Sequence, residues 1–408
     1  MLVPVTYADT EGPMMLIPET WDLHPGQDWL RGRDPEHAVE FDEATKAWNV
    51  YRYADVVTAL SDHERFSAEF GRIVPDYPDE LFDGDLTQTD PPKHKHLREI
   101  ARRAFTPKVV ADLEPRIRAL TEELLDGVAG RDGFELVETL AHPLPVIVIA
   151  DLLGIPKSGL GVFQAWTDMV VDPQIEFDPT DADVVKQYGD GYGDMTSAIT
   201  EYLREHTADR RANPREDLLT RLVQAEVDGQ RLSEIQLTNF VMLLFVAGHI
   251  TTTMLLGNTI LCLDANPDAF AAVREDRALV PDAIEEALRL LSPITQIPRV
   301  TTVDVELGGV HVPKDSMLML WVAAAGRDPR QFPDPHRYDL RRDPNPHLAF
   351  GRGIHFCMGA PLARLEGRIV LNLLMDRYPK LRVDIGGAPE FKVNSAFTRL
   401  ASLPLSVA

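Results

Sequence analysis

The stretch FGRGIHFCMGAPLARLEGRIV, residues 350–370, places a cysteine between glycines and the start of a predicted helix. Gly351, Gly353 and Gly359 permit tight turns that point backbone N–H groups toward the sulfur of Cys357, and the helix that follows presents its positive end. Both effects favour the thiolate over the thiol. A cysteine before a helix is, taken alone, more often a small buried apolar residue. The rest of the sequence has to decide between these two interpretations.

The composition of the 408-residue chain is that of a globular protein, with 44% hydrophobic and 26% charged residues. Its formal charge of -23 should repel phosphate backbones and anionic membranes, so neither nucleic acid nor a membrane is expected as a partner. The two cysteines, Cys262 and Cys357, are too few for a disulfide scaffold and suit a reducing compartment. The N-terminus lacks the pattern of a secretory signal. We therefore expect a cytoplasmic protein, with Cys262 on a buried apolar face.

The pattern of prolines and apolar residues predicts a single domain over 1–408 that is mainly α with a minor antiparallel β part (α+β). The longest helix should begin at Ser233, with a capping box to Gln236, and end before Pro267. Its apolar stretch contains His249 and Asn258, which favours a helix buried in protein over one in lipid. Asp90 is predicted to cap a helix with Pro91 in its first turn. Other predicted elements are a hairpin and helix within 36–60, helices at 107–128, 143–153, 159–170, 182–208 and 215–226, a helix opened by Pro281, and strands at 299–312 and 317–322.

Several stretches together resemble the cytochrome P450 family. FGRGIHFCMG matches the haem-ligand signature of that family, and DPPKHKHLR at 90–98, AGHITT at 247–252 and EEALR with Glu286 and Arg289 match further motifs in the same order. The resemblance runs from about Asp90 to the end of the chain. It implies the cytochrome P450 fold with a long central helix over the haem, heme b (iron protoporphyrin IX) as the cofactor, and Cys357 as the iron ligand.

Four basic residues are predicted to bind the haem propionates, because a buried carboxylate needs charged or hydrogen-bonding partners. His94 and Arg98 are four residues apart and share one helix face, Arg299 starts a strand, and His355 lies two residues before Cys357. A single His or Arg is usually a solvent-facing side chain, and the positions in the family pattern favour the haem role here.

The family pattern also implies roles for residues of two helices. Glu286 and Arg289 would form a buried structural network with a later arginine, either Arg337 or Arg341. Thr251 would be the catalytic alcohol that helps to protonate bound O2, with its hydroxyl bonded to the carbonyl of residue 247. The residue before it, usually an acid in the family, is Ile250, which cannot relay protons. His249 could titrate near neutrality, but adjacent helix positions point about 100° apart, so its side chain need not reach the same channel.

The leading hypothesis is a haem-thiolate monooxygenase that inserts one oxygen atom from O2 into a small organic substrate, a natural-product intermediate. The alternatives are oxidative coupling or dehydration at the same site, and a haem-based sensor without turnover. No dinucleotide fingerprint is visible, so electrons should come from a ferredoxin-type redox partner with its reductase. Residues 91–108 carry six Lys or Arg against one acid, Glu99, and are predicted to dock that partner. The substrate pocket is predicted to include 66–89, 165–195, Phe240, Leu244, 294–297 and 395–398.

Overall fold

A 32-residue helix, Glu234–Ala265, is the central element of the computed structural model. It begins at the predicted capping box, where Ser233 Oγ accepts from the Gln236 N–H and Gln236 Oε1 accepts from the Ser233 N–H. Its length, and the mean hydropathy of 1.8 over its most apolar 18 residues, would suit a membrane span. However, 67% of that 18-residue stretch is buried inside the protein. The prediction of a buried core helix is therefore confirmed.

The structure describes residues 16–17, 24–74, 82–156, 159–161, 163, 197, 199–384 and 389–408. Other helices surround the central one, and a 3-10 helix, Pro25–Arg31, and a π-helical turn, Val137–Ala141, add to them. The helices in chain order are α1 Tyr53–Ser61, α2 Lys93–Ala104, α3 Pro107–Ala111, α4 Glu114–Asp126, α5 Pro143–Leu153, α6 over 199–212, α7 Leu218–Gln224, α8 Glu234–Ala265, α9 Pro267–Glu275, α10 Val280–Leu290, α11 Val322–Ala325 and α12 Ala360–Arg377.

The strands are short and form small sheets. They are β1 Val39–Asp42, β2 Ala47–Val50, β3 Phe66–Ser67, β4 Gly133–Glu135, β5 Ile297–Thr301, β6 Val305–Leu307, β7 Val310–Val312, β8 Met317–Leu320, β9 Arg382–Val383, β10 Glu390–Lys392, β11 Arg399–Ser402 and β12 Pro404–Ser406. The largest sheet has the order β1-β2-β8-β5-β3, the others pair β4-β12-β9, β6-β7 and β10-β11. All pairings are antiparallel except β2 with β8, where Trp48 lies beside Leu318 in parallel register. The predicted class, mainly α with a minor β part, is confirmed.

The main hydrophobic core forms where α8 packs against α5, α10 and α12. Leu255, Ile260 and Leu263 of α8 are each at most 2% exposed, and Cys262 is fully buried beside them, as predicted. A second cluster joins α1 to the five-stranded sheet through Val56, among others. The central helix is thus held rigidly along much of its length.

Two local predictions differ from the structure, and two others are largely untested. Asp90 does not cap α2: the helix starts at Lys93, and the Asp90 carboxylate instead accepts from Ser67 Oγ at 2.5 Å and the Ala68 N–H. The helix predicted at 107–128 is two helices, because Pro115 lacks the N–H needed to continue the first. The helix predicted at 159–170 and the first part of that at 182–208 lie largely outside the described residues.

Candidate active site

The loop before α12 wraps its backbone around Cys357. The Cys357 N–H donates to the Phe350 carbonyl at 2.9 Å, and the sulfur accepts from the N–H groups of Gly359 and Ala360 at the start of α12. Burial raises the pKa of the Cys357 thiol, and these N–H groups with the charges of Arg98 and Arg364 lower it only in part. The two influences predicted from the sequence are therefore present, and burial of the sulfur opposes them.

Two glycines of this loop have positive φ but different surroundings. Gly353 has φ +70°, and a Cβ there would lie 2.7 Å from the Leu60 carbonyl oxygen. Gly351 has φ +67°, and its nearest neighbour would be 3.8 Å away.

We expect Gly353→Ala to destabilise the protein more than Gly351→Ala. Both changes add strain of about 1–2 kcal/mol from the left-handed conformation. Only Gly353→Ala also forces the loop away from α1, because its Cβ would overlap the Leu60 carbonyl oxygen. Urea unfolding of both variants measures the difference, and equal losses would contradict the contact with Leu60.

The four predicted basic residues lie near one another. The His94 and His355 rings are 4.4 Å apart between centroids, and Arg98 Nη2 donates to the Phe356 carbonyl, next to Cys357, at 2.5 Å. Burial lowers the pKa of His355, and the positive charges of Arg299 and Arg98 lower it further. Asp90 opposes them, with its Oδ1 3.8 Å from His355 Nε2, beyond hydrogen-bond distance. The structure thus brings His94, Arg98 and Arg299 together around His355.

This cluster has more donor capacity than the protein uses. Nε2 of His94 and Nε2 of His355 are both buried without a hydrogen-bond partner among the described residues. Arg299 is 4% exposed, and burial lowers its pKa to about 10. Buried donors without acceptors are costly, so the cluster suits an anionic group with several oxygens. The carboxylates of haem fit these donors.

Glu286 and Arg289 are each 1% exposed and form the centre of a hydrogen-bonded network. Arg289 Nε and Nη2 donate to the Glu286 carboxylate at 2.8 and 2.7 Å. The third charged member is Arg342, whose Nε donates to Glu286 Oε1 at 3.0 Å. The prediction of Arg337 or Arg341 is wrong: a turn from Asp339 to Arg342 brings Arg342 back to α10, and Arg337 contributes only its carbonyl, which accepts from Arg289.

The neighbouring Glu285 supports the cysteine loop, a contact that the sequence analysis missed. Arg364 of α12 donates to its carboxylate from Nε and Nη2, each at 2.7 Å, while its guanidinium carbon lies 4.5 Å from the Phe350 ring centroid. Burial alone would raise the pKa of Glu285, but the bonds from Arg364 and His347 lower it to about 2. Two adjacent acids in EEALR were the only available signal for this second ion pair.

One face of α8 stays accessible in the part of the chain that the structure describes. Ala247 is exposed, Leu244 and Thr251 are partly exposed, and residues between them such as Phe245 are buried. Thr251 Oγ1 donates to the Ala247 carbonyl at 2.5 Å, as predicted. Phe240, by contrast, belongs to the main core, and the pocket stretch 165–195 lies outside the described residues.

The two residues before Thr251 are buried. Ile250 is 5% exposed and packs with Met254 against Phe397. His249 is buried, its ring lies 4.5 Å from that of His142, and burial lowers its pKa to about 3. The expectation that His249 titrates near neutrality is wrong, because burial and the neighbouring imidazole of His142 both disfavour its charged form.

The comparisons with known proteins agree with this geometry. The family model for cytochrome P450 matches residues 177–399. Cyclomarin C epoxidase CymV from Salinispora arenicola (strain CNS-205) is 42% identical over 363 residues, which cover 88% of this chain and 90% of that protein. The chain belongs to the cytochrome P450 family. Erythromycin C-12 hydroxylase from Saccharopolyspora erythraea is 41% identical over 359 residues, 88% of each of the two chains.

Solved structures show the same P450 fold. The crystal structure of HmtT, involved in himastatin biosynthesis, is 48% identical with a TM-score of 0.86 and covers 95% of this chain and 98% of its own. The structure of the post-tailoring hydroxylase HmtN has 47% sequence identity and a TM-score of 0.84, and the match covers 96% of this chain and 99% of HmtN. The protein is therefore a haem-dependent monooxygenase of the oxidoreductase class, akin to bacterial P450s of secondary metabolism. P450 monooxygenases act on small molecules with O2 and a redox partner.

Proposed function

We propose that Cys357 binds the iron of heme b in this P450, and that His94, Arg98, Arg299 and His355 bind its propionates. The observation that carries this proposal is the basic cluster beside the cysteine loop, in which two buried imidazole Nε2 atoms have no hydrogen-bond partner among the described residues. Bound haem supplies the activation of O2, for which a thiolate ligand provides electron density. The chain itself positions the cofactor, excludes water and delivers protons.

We infer that the reaction inserts one oxygen atom into a natural-product intermediate. Relatives named as a cyclomarin C epoxidase and an erythromycin hydroxylase support this reaction class. The test is product analysis with a panel of natural-product scaffolds, ferredoxin, ferredoxin reductase and NADPH. Oxygenated products support the proposal, coupled or dehydrated products support the alternative reaction, and binding without substrate-dependent oxygen uptake supports a sensor.

Thr251 is the residue that we assign to proton delivery. Its hydroxyl lies on the accessible face of α8, whereas Ile250 offers no acid and packs on Phe397. Protons would therefore reach Thr251 from ordered water or substrate hydroxyls, not from the preceding side chain.

We expect Thr251→Ala to lower the product formed per electron consumed, whereas Thr252→Ala, a change at a buried neighbour, should not. Ile250→Glu should change the solvent isotope effect on turnover, and Ile250→Gln, of the same size without an acid, should not. Full coupling in Thr251→Ala would remove its catalytic assignment.

We infer that a ferredoxin delivers the electrons and that it docks on the basic surface of residues 91–108. Some of that charge is paired within the protein: Arg102 and Arg103 both contact Glu99, and Lys93 contacts Asp83. The pairs are exposed, so the surface remains available for an acidic partner.

We expect the double change Arg102→Glu and Arg103→Glu to slow reduction by an acidic ferredoxin, most strongly at low salt. Arg204→Glu is the matched control, because Arg204 is also exposed and pairs with a glutamate three residues before it. Stopped-flow reduction measures the rates, and equal slowing by both changes would contradict a local docking site.

We also infer one domain and a cytoplasmic location. The main core draws on residues from Ile17 to Leu405, which supports a single domain over 1–408. Both cysteines are free, which suits a reducing compartment.

A further inference from the structure

The turn between β10 and β11 lies against α8 beside Thr251. Phe397 of this turn packs on Ile250 and Met254, and forms an isolated bridge with Ile294. Phe397 is partly exposed, whereas Ile250 is 5% exposed. The turn therefore forms an apolar wall next to the threonine that we assign to proton delivery.

A residue from the other end of the chain holds this turn. Gln27, in the 3-10 helix Pro25–Arg31, is 2% exposed. Its amide nitrogen lies 2.8 Å from the Asn394 carbonyl oxygen, 3.2 Å from that of Ser395 and 3.4 Å from that of Phe397. One side-chain amide thus faces three backbone acceptors of a single turn.

The other contacts of the turn come mainly from residues 293–296. Thr295 donates from its N–H to the Ala396 carbonyl and from its hydroxyl to the Ser395 carbonyl. The Ala396 N–H is bonded locally to Asn394 Oδ1. Gln296 Nε2 also donates to Ser395 Oγ, and the Thr398 N–H donates to the Pro293 carbonyl. Loss of Gln27 would therefore remove the contacts from the N-terminal 3-10 helix and leave the turn held from residues 293–296.

We propose that Gln27 is a positioning residue for substrate specificity, which fixes the 394–397 turn and so holds the Phe397 ring against Ile250. The wall it maintains is apolar, so the substrate presents an uncharged apolar face there. This inference rests on the proposed function, because the wall discriminates only ligands that reach the haem.

The test uses the full-length haem-loaded protein with imidazole and 4-phenylimidazole as probes. Both ligate haem iron through nitrogen, but only the phenyl group extends toward a pocket wall. Gln27→Met keeps a similar shape and removes both donors. We expect its affinity for 4-phenylimidazole to change by about tenfold, as for one lost buried hydrogen bond, with imidazole affinity unchanged.

Asn266→Leu is the matched control, because Asn266 is also a buried amide that donates to a carbonyl, that of Cys262, at the end of α8. It should leave both affinities unchanged. Equal changes for both probes in Gln27→Met, or no change for either, would overturn the proposal.

A second variant keeps the test decisive if Gln27→Met does not fold. Phe397→Ala must itself alter the affinity for 4-phenylimidazole, and an unaltered affinity overturns the proposal. Where both single variants fold, the double variant should show no larger effect than Phe397→Ala alone. A wild-type protein whose Soret band does not respond to imidazole would instead overturn the proposed function, and this inference with it.

Discussion

Cys357→Ala is expected to abolish the red-shifted Soret band of the ferrous carbon monoxide complex, and turnover with it. The reason is that a thiolate ligand produces that band and Cys357 holds the thiol of the loop before α12. Two backbone N–H groups and two arginine charges already act on this sulfur. The negative charge of an iron-bound thiolate would therefore be stabilised by groups that are already in place. The optical spectrum of the reduced protein under carbon monoxide measures the effect.

Cys262→Ala is the matched control for this change. Cys262 is fully buried in the main core, and burial raises its pKa to about 12. The Cys262→Ala variant should keep the Soret band and lose only the stability expected from truncating a small buried side chain. Loss of the band in Cys262→Ala alone would contradict the assignment of Cys357.

Elements with strong local signals could be predicted from the sequence. The capping box at Ser233 fixed the start of the central helix, because both of its partners lie within one turn. The period-two pattern likewise located β5 and β8, which pair directly. The hydroxyl bond of Thr251 followed from helix geometry alone. In each case, the interaction joins residues that are close in the chain or in a regular pattern.

Features that depend on distant packing could not be predicted in this way. Asp90 has the residue type of a helix cap, but a contact with Ser67, twenty-three residues earlier, takes its carboxylate. The choice of Arg342 over Arg337 or Arg341 depends on how a loop turns back onto α10. The pKa values of His249 and Cys357 depend on burial, which no local motif encodes.

Glu286→Gln is expected to destabilise the fold by ~3–5 kcal/mol, as for removal of one partner from a buried ion pair. Glu286 is 1% exposed and accepts from five donors. An amide at this position would turn an N–H toward these donors and leave the buried charge of Arg289 uncompensated. Because these contacts join α10 to the 333–345 segment that precedes the cysteine loop, haem content should fall together with stability.

Glu99→Gln provides the comparison that separates burial from charge. Glu99 also contacts two arginines, Arg102 and Arg103, but both arginines are exposed. Exposed pairs are screened by solvent and salt, so this variant should unfold at nearly the same urea concentration as the wild type. Urea unfolding of both variants at low and high salt measures the difference. A loss in Glu286→Gln no greater than that in Glu99→Gln would show that the buried network does not stabilise this P450, since the two glutamates have the same chemistry and differ chiefly in exposure.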